Sequence, residues 1–416
     1  LAISRVIGWT RSWLRTEKRS SQRMGSALGR AAPPQRLLGH TDRVTSVAFS
    51  KNDGPDVLLI STSADGTVRR YERWENGTTW VEKSPEGGLK PTVESFATTA
   101  VDCVSFHRDG KLAVAGAAVW IYAPDRVGNN PERRDARWMP DHTVPDKLLR
   151  GASWVDFMRD GKMLARTSDG CKSLILFDQD GEFRPDVYEE YTSCDAPVQC
   201  IATANATESM NNFIVLSGTT IVSKYHTGEA EEIVGDGHTH VVDIEVSPAD
   251  NMILAADFTE DSTIPVVKVW KADSRSRLVG TCTTTDITAA EEKTTTVTCA
   301  RFAPSSNVIA AGFSDGSIRY FDVSAANIAA STEGWNDDAA VCKQLNATIR
   351  GSHVQSIGGR HSLRDHAVTC LAFSPLGDCL VSGSADSSVC VHKTPFLCLT
   401  DGGKEAASFT VTCCSE

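Results

Sequence analysis

Apolar residues in this chain recur as a spaced triplet, V-x-x-V-x-F, of the length and alternation expected for a strand with one buried face. It stands at Val44/Val47/Phe49, Val101/Val104/Phe106, Val241/Ile244/Val246, Val297/Ala300/Phe302 and Val368/Leu371/Phe373, with looser copies at Ala152/Val155/Phe157 and Val198/Ile201/Thr203. Turn clusters and further short apolar runs follow. They are clearest after the last triplet, where Ser374-Pro375-Leu376-Gly377-Asp378 and then Ala385-Asp386-Ser387 separate two more strand-length runs. A meander of this kind cannot bury both faces alone, so seven copies predict one all-β domain whose units cover one another. Helical periodicity is scarce, and no apolar run approaches the roughly 18 residues of a membrane-crossing helix.

Turn-and-strand halves follow the triplets in register. Ser63-Ala64-Asp65-Gly66-Thr67-Val68 ends at Tyr71, and Ser314-Asp315-Gly316-Ser317-Ile318 ends at Phe321-Asp322. Degenerate forms are Ser168-Asp169-Gly170 before Leu176-Phe177, and Val267-Lys268-Val269-Trp270. With Leu38-Gly39-His40-Thr41-Asp42 ahead of the first triplet, the chain resembles the WD-repeat family of β-propellers over about residues 35–395. The resemblance implies a seven-bladed β-propeller of four-stranded antiparallel blades. It also implies that an N-terminal strand, here Gln35 to Leu38, completes the last blade and closes the ring, which would remove the free sheet edges.

On this reading residues 1–34 form a basic N-terminal extension, 35–395 the propeller and 396–416 a C-terminal tail. Within the tail, Ser408 to Cys413 also reads as a strand that could compete for the last blade's edge. Blade one is expected to end near residue 73 and to be followed by an insertion through 95, in which Trp74 to Val81 reads as a hairpin around Asn76-Gly77. Residues 126–145 and 329–362 read as long polar loops, the usual place for partner contacts on a rigid ring.

His40, His238 and His366 each precede a first strand, and Asp65, Asp261, Asp315 and Asp386 lie between a second and a third. By the resemblance they match the family's structural hydrogen-bond network, which joins that His, a second-strand Ser or Thr (here Ser61 or Ser63), the turn Asp and a third-strand Trp. Only Trp270 keeps the tryptophan; Tyr71, Tyr122, Phe177, Tyr225, Phe321 and His392 stand in the other blades. Blades one and five are therefore expected to come nearest to a full set. Recurrence once per blade argues for architecture rather than a metal or acid–base site.

Charge is uneven. Residues 1–36 hold eight Arg or Lys against one acid, a formal +7, so the rest of this −11 chain carries −18. An acidic body repels phosphate backbones and disfavours general nucleic-acid binding. Cys103, Cys299 and Cys370 share one slot, two residues after the first anchor valine, as small buried hydrophobes would. No C-x-x-C pair occurs among the thirteen cysteines, so reduced structural thiols and a reducing compartment, cytoplasmic or nuclear, are expected. Residues 1–23 are rich in Arg and Ser and read either as a mitochondrial presequence or as sequence upstream of a start at Met24.

Candidate partner-binding residues are Arg43, Arg69, Arg70, Arg301 and Arg319 at blade ends, with Trp138, Trp154 and Trp335 as aromatic anchors. An arginine at a channel mouth can grip a carboxylate or phosphate bidentately; the plainer reading of each is an ordinary solvated strand residue. Gly312-Phe313-Ser314-Asp315-Gly316 spells a hydrolase nucleophile elbow, but a strand rather than a helix follows it. No catalytic residue, metal site or cofactor is expected. The chain reads as a non-catalytic scaffold for protein or peptide partners, a monomeric propeller within a complex. Two other readings stay open: a permanent structural subunit of a large assembly, mitochondrial if residues 1–23 are a presequence, and an enzyme with its active site in the channel.

Overall fold

Each apolar triplet lies on, or starts just ahead of, the first strand of an antiparallel meander, with Val44, Val101, Val155, Ile244, Ala300 and Leu371 among its buried anchors. The computed structural model describes residues 34–50, 57–73, 79–82, 100–107, 110–124, 138–143, 151–158, 163–167, 174–179, 183–191, 198–203, 212–217, 220–225, 230–234, 241–249, 252–257, 266–271, 278–284, 295–331, 340–345 and 366–394. After β1 (Gln35–Leu37) comes a first meander of β2 (Val44–Phe49), β3 (Leu58–Ser63), β4 (Val68–Arg73) and β5 (Trp80–Glu82). The second is β6 (Cys103–Phe106), β7 (Leu112–Ala115), β8 (Val119–Pro124) and β9 (Trp138–Thr143). The third is β10 (Ala152–Phe157), β11 (Met163–Thr167), β12 (Leu174–Gln179) and β13 (Phe183–Tyr191). The fourth is β14 (Val198–Thr203), β15 (Asn212–Ser217), β16 (Thr220–Tyr225) and β17 (Ala230–Val234).

A fifth meander, β18 (Asp243–Val246), β19 (Met252–Asp257), β20 (Val266–Lys271) and β21 (Leu278–Thr283), merges with a sixth. The sixth is β22 (Val297–Phe302), β23 (Val308–Phe313), β24 (Ile318–Asp322), helix α1 (Ser324–Ser331) and β25 (Ala340–Gln344). β25 pairs antiparallel with β24 and parallel with β21, making one eight-stranded sheet. The last meander, β26 (Val368–Phe373), β27 (Cys379–Ser384) and β28 (Val389–Lys393), takes β1 as its fourth strand, with Gln35 opposite Val391 and Leu37 opposite Val389.

Three sequence expectations change here. Trp80–Glu82 is the outer strand of the first meander rather than a hairpin in an insertion. The connection read as a polar loop over 329–362 holds the end of α1 and all of β25. Not every strand pair is antiparallel, because β25 joins two meanders. The N-terminal extension and the C-terminal tail with its candidate strand lie outside the described residues.

A β-bulge recurs on β2, β10, β14, β22 and β26, each time just after the first anchor. A bulge leaves one residue out of the ladder and sharpens the twist. Where that residue is threonine, its hydroxyl donates to the first-anchor carbonyl of the adjoining meander. Thr45 reaches Val101 O at 2.5 Å, Thr298 reaches Val368 O at 2.5 Å and Thr369 reaches Val44 O at 2.6 Å. The sixth, last, first and second meanders are thus latched in series.

The first and last meanders also share one apolar cluster, which includes Val44, Tyr71, Trp80, Val381 and Val389. Gln35 holds both backbone groups of Trp80: its Nε2 donates to the carbonyl at 2.5 Å and its Oε1 accepts the amide at 2.8 Å. Arg73 Nη2 donates to both carboxylate oxygens of Asp378, at 2.9 and 2.8 Å, and its guanidinium lies over the Trp80 ring.

Candidate functional site

Two sets of polar side chains stand out: the aspartates in the turns between second and third strands, and a cluster where the first strands converge. Asp65, Asp315 and Asp386 share one local geometry. Each Oδ1 accepts the amide and the hydroxyl of the residue two positions on, Thr67, Ser317 or Ser388, at 2.5–2.9 Å. This turn chemistry fixes the carboxylate locally. The remaining oxygen is covered differently in each.

In the first meander, Asp65 Oδ2 takes the Thr41 amide at 2.8 Å and faces His40 Nδ1 at 3.3 Å. His40 Nδ1 also lies 2.9 Å from the Thr67 hydroxyl, and its Nε2 lies 2.7 Å from Ser61. Burial, with help from Arg69, lowers the His40 pKa to about 4 against the pull of Asp65, so the imidazole is neutral at pH 7. Burial pushes the Asp65 carboxyl up, but hydrogen bonds from Thr67 and Thr41 outweigh it and hold the group below its usual value. Arg69, four residues after Asp65, turns outward, donating to Gly39 O and to Glu82, both at 2.6 Å. Glycine suits position 39 because its φ is +148°, where a side chain is strained, and it lets the Arg69 guanidinium lie against the backbone.

In the sixth meander the cover is Arg319, again four residues after the turn aspartate. It is 2 % exposed, stacks 4.2 Å over Phe313, donates to Ser317 Oγ at 2.6 Å and reaches Asp315 Oδ2 at 3.4 Å. In the last meander that strand position is Cys390. The cation comes from β1 instead, with Arg36 Nη2 donating to Asp386 Oδ2 at 2.9 Å. Ser382 there lies 2.8 Å from His392 Nε2, so the third-strand histidine supplies the ring that His40 presents to Ser61 in the first meander.

The second set lines a cavity of 540 Å³ walled by the first strands, with Phe49, Phe106, Trp154, Phe302 and Phe373 among its apolar lining. Asp156 ties three meanders together: it accepts the Ser105 hydroxyl from β6, the Thr203 hydroxyl from β14 at 2.5 Å, and the Phe157 amide at 2.9 Å. From β18, Asp243 and Glu245 accept the amides of Ala300 and Phe302 on β22 at 3.0 and 2.5 Å. Arg301 donates to Asp243 at 2.5 Å and stands 3.9 Å from Glu245. Burial raises the Glu245 pKa to about 7 against the pull of Arg301. Asp156 and Glu245 in the lining and Asp243 beside it, against the Arg301 guanidinium, leave this cavity acidic, the more so above pH 7, where Glu245 is ionised.

The sequence candidates therefore separate. Arg43 is exposed at the start of β2, and Arg301 and half-buried Trp154 line the cavity. Arg70 and Arg319, read as exposed, are buried: Arg70 bonds Glu72 at 2.5 Å and Arg319 serves Asp315. Trp138 begins β9. His238, Asp261 and Trp335 lie outside the described residues, while Trp270 is buried in an apolar cluster with Val241 and Ile253. Ser63 accepts the Asp65 amide at 3.1 Å and donates to Asp42 O, and Ser384 does the same between Asp386 and His366 O. Ser314 is followed by strand β24 and accepts the Thr296 amide at 2.9 Å. Asp156, Asp243 and Glu245 were missed. Their signal was acids next to the apolar anchors of first strands, Asp156 and Glu245 between the second and third anchors and Asp243 just before the second.

The family model described as WD domain, G-beta repeat, matches residues 32–72, 280–322 and 359–393. No curated protein matches the chain.

Proposed function

Taking as premise that the chain is a WD-repeat protein of the β-propeller family, we propose that it is a non-catalytic scaffold whose ring presents the acidic channel mouth to a protein or peptide partner. WD repeats generally mediate protein–protein interaction. The ring is proposed as seven-bladed, counting the merged sheet as two blades, and closed by β1. The pairing of β1 with β28 and the latch from Thr369 to Val44 support that closure.

The cavity carries the reading. Its walls come from the first strand of every meander, so a segment inserted there touches the whole ring at once. Its carboxylates are held by amides and hydroxyls of neighbouring meanders, which preorganises them for recognition. A partner segment with an apolar anchor for the aromatic wall and a basic side chain for Asp156 and Glu245 fits this chemistry.

The test is affinity purification at matched expression of wild type and a Trp154→Ala/Glu245→Gln variant, with unfolding midpoints measured for both. Specific partners recovered by wild type and depleted at least fivefold by the variant are the expected result, and wild-type recovery should weaken as pH falls from 8 to 6 and Glu245 gains its proton. Equal recovery by both proteins would remove the channel mouth from the reading. Recovery of no specific partner would remove the scaffold.

A further inference from the structure

We propose that Cys282 and Cys342 form a disulfide when the protein meets hydrogen peroxide, tying β21 to β25 within the eight-stranded sheet. The two residues are Cα partners in the parallel ladder between these strands. Neighbouring strands run about 4.8 Å apart, inside the roughly 4.4–6.8 Å that a disulfide spans between Cα atoms. Both side chains enter one apolar cluster with Val269, Val279 and Ala326, so they point to the same face. Gly280 leaves the room they need: a Cβ at that position would stand 2.9 Å from Cys342 Sγ and 2.8 Å from Ala326 Cβ.

The pair is also chemically polarised. Cys282 donates a hydrogen bond to Cys342, which lowers the Cys342 pKa, while the seven other described cysteines are all pushed up, chiefly by burial. Cys342 is therefore the thiol best able to ionise and attack. Its sulfur takes one peroxide oxygen; the S–O bond forms, the O–O bond breaks, and the departing hydroxide leaves as water with the thiol's proton. Cys282 sulfur then attacks Cys342 sulfur, the S–S bond forms, the S–O bond breaks, and a second water carries off the Cys282 proton. Two thiols are oxidised and one peroxide is reduced to two waters. Because Cys282 is fully buried and Cys342 is 3 % exposed, the reaction waits on an opening of the five-residue strand β25. The closed loop would contain all of β22–β24 and α1, so the cross-link would hold the sixth meander against unfolding.

The experiment treats the full chain with hydrogen peroxide, alkylates remaining thiols in denaturant and maps the peptides by mass, alongside unfolding midpoints with and without dithiothreitol. The expected result is a linked Cys282–Cys342 peptide and a midpoint raised by several degrees, both reversed by dithiothreitol and both missing in Cys342→Ser. Alkylated Cys282 and Cys342 after treatment, or Cys342 recovered as sulfinic acid with Cys282 alkylated, would overturn the proposal. If Cys342→Ser does not fold, the wild-type peptide map decides alone.

Discussion

Asp65 and Asp315 sit in equivalent turns of the first and sixth meanders, bound identically on one oxygen and quite differently on the other. In the first, neutral His40 and the Thr41 amide cover the carboxylate, and Arg69 is left to lie over Gly39. In the sixth, Ala311 replaces Ser61, so the hydroxyl that would hold a histidine is missing, and Phe313 replaces Ser63. The arginine at the same strand position turns inward and uses that Phe313 ring as its floor. The lesson is that the turn carboxylate requires donors rather than a histidine. A guanidinium on an aromatic face supplies them as well as an imidazole does.

Breaking the first arrangement should have the largest effect. Asp65→Ala removes the acceptor of the exposed Thr41 amide and Thr67 amide and hydroxyl and uncovers buried His40, and should lower stability by about 2.5 kcal/mol, at roughly 0.5–1 kcal/mol for each hydrogen bond lost. Urea unfolding measures it; a loss below about 1 kcal/mol would show that water replaces the carboxylate. Next comes Arg319→Ala, expected to cost about 2 kcal/mol through lost packing on Phe313 and an uncovered Asp315. The same change at Arg69, whose side chain is 25 % exposed, should cost under about 0.5 kcal/mol. Equal losses would erase the distinction between the two meanders.

Smaller effects probe how the meanders join. Thr369→Val keeps the side-chain shape but removes the latch to Val44 O, for about 1 kcal/mol, and Thr369→Ser should recover most of it. Ser387 stands at φ +67° where Gly66 and Gly316 stand in the equivalent turns. Left-handed backbone costs a residue with a Cβ about 1 kcal/mol, and glycine's extra freedom in the unfolded chain returns part of that. Ser387→Gly should therefore gain about 0.5 kcal/mol, read as a higher thermal midpoint, whereas a lower midpoint would mean that the Ser387 side chain matters to the turn.

The triplets were legible because one buried face imposes period-two alternation on a first strand, and the glycine–histidine and turn-aspartate pairs sit at fixed offsets from it. Outer strands face fewer constraints. Trp80–Glu82 and Ala340–Gln344 are too short to show a clear alternation and carry no turn signal at a fixed offset, so they read as insertion and loop. Helix α1 is short and alanine-rich, and its clearest signal, Asp322 accepting both the amide and the hydroxyl of Ser324, resembles a turn. Arg319 was misread as exposed because a charge suggests solvent. Its signal was the four-residue offset from Asp315 that it shares with Arg69, in a meander with no histidine ahead of the first strand. The threonine latches were likewise written in the chain, as the Val-Thr pairs 44–45, 297–298 and 368–369.

The most direct measurement is stability against pH for wild type and His40→Gln. The folded-state pKa of His40 is depressed from about 6.5 to about 4, so the unfolded chain binds its proton first and the native state loses stability as pH falls through that window. Denaturation midpoints should therefore fall more steeply between pH 6.5 and 4 for wild type than for His40→Gln, with the curves parallel above pH 7. Identical slopes in the acid range would contradict a neutral His40 over Asp65.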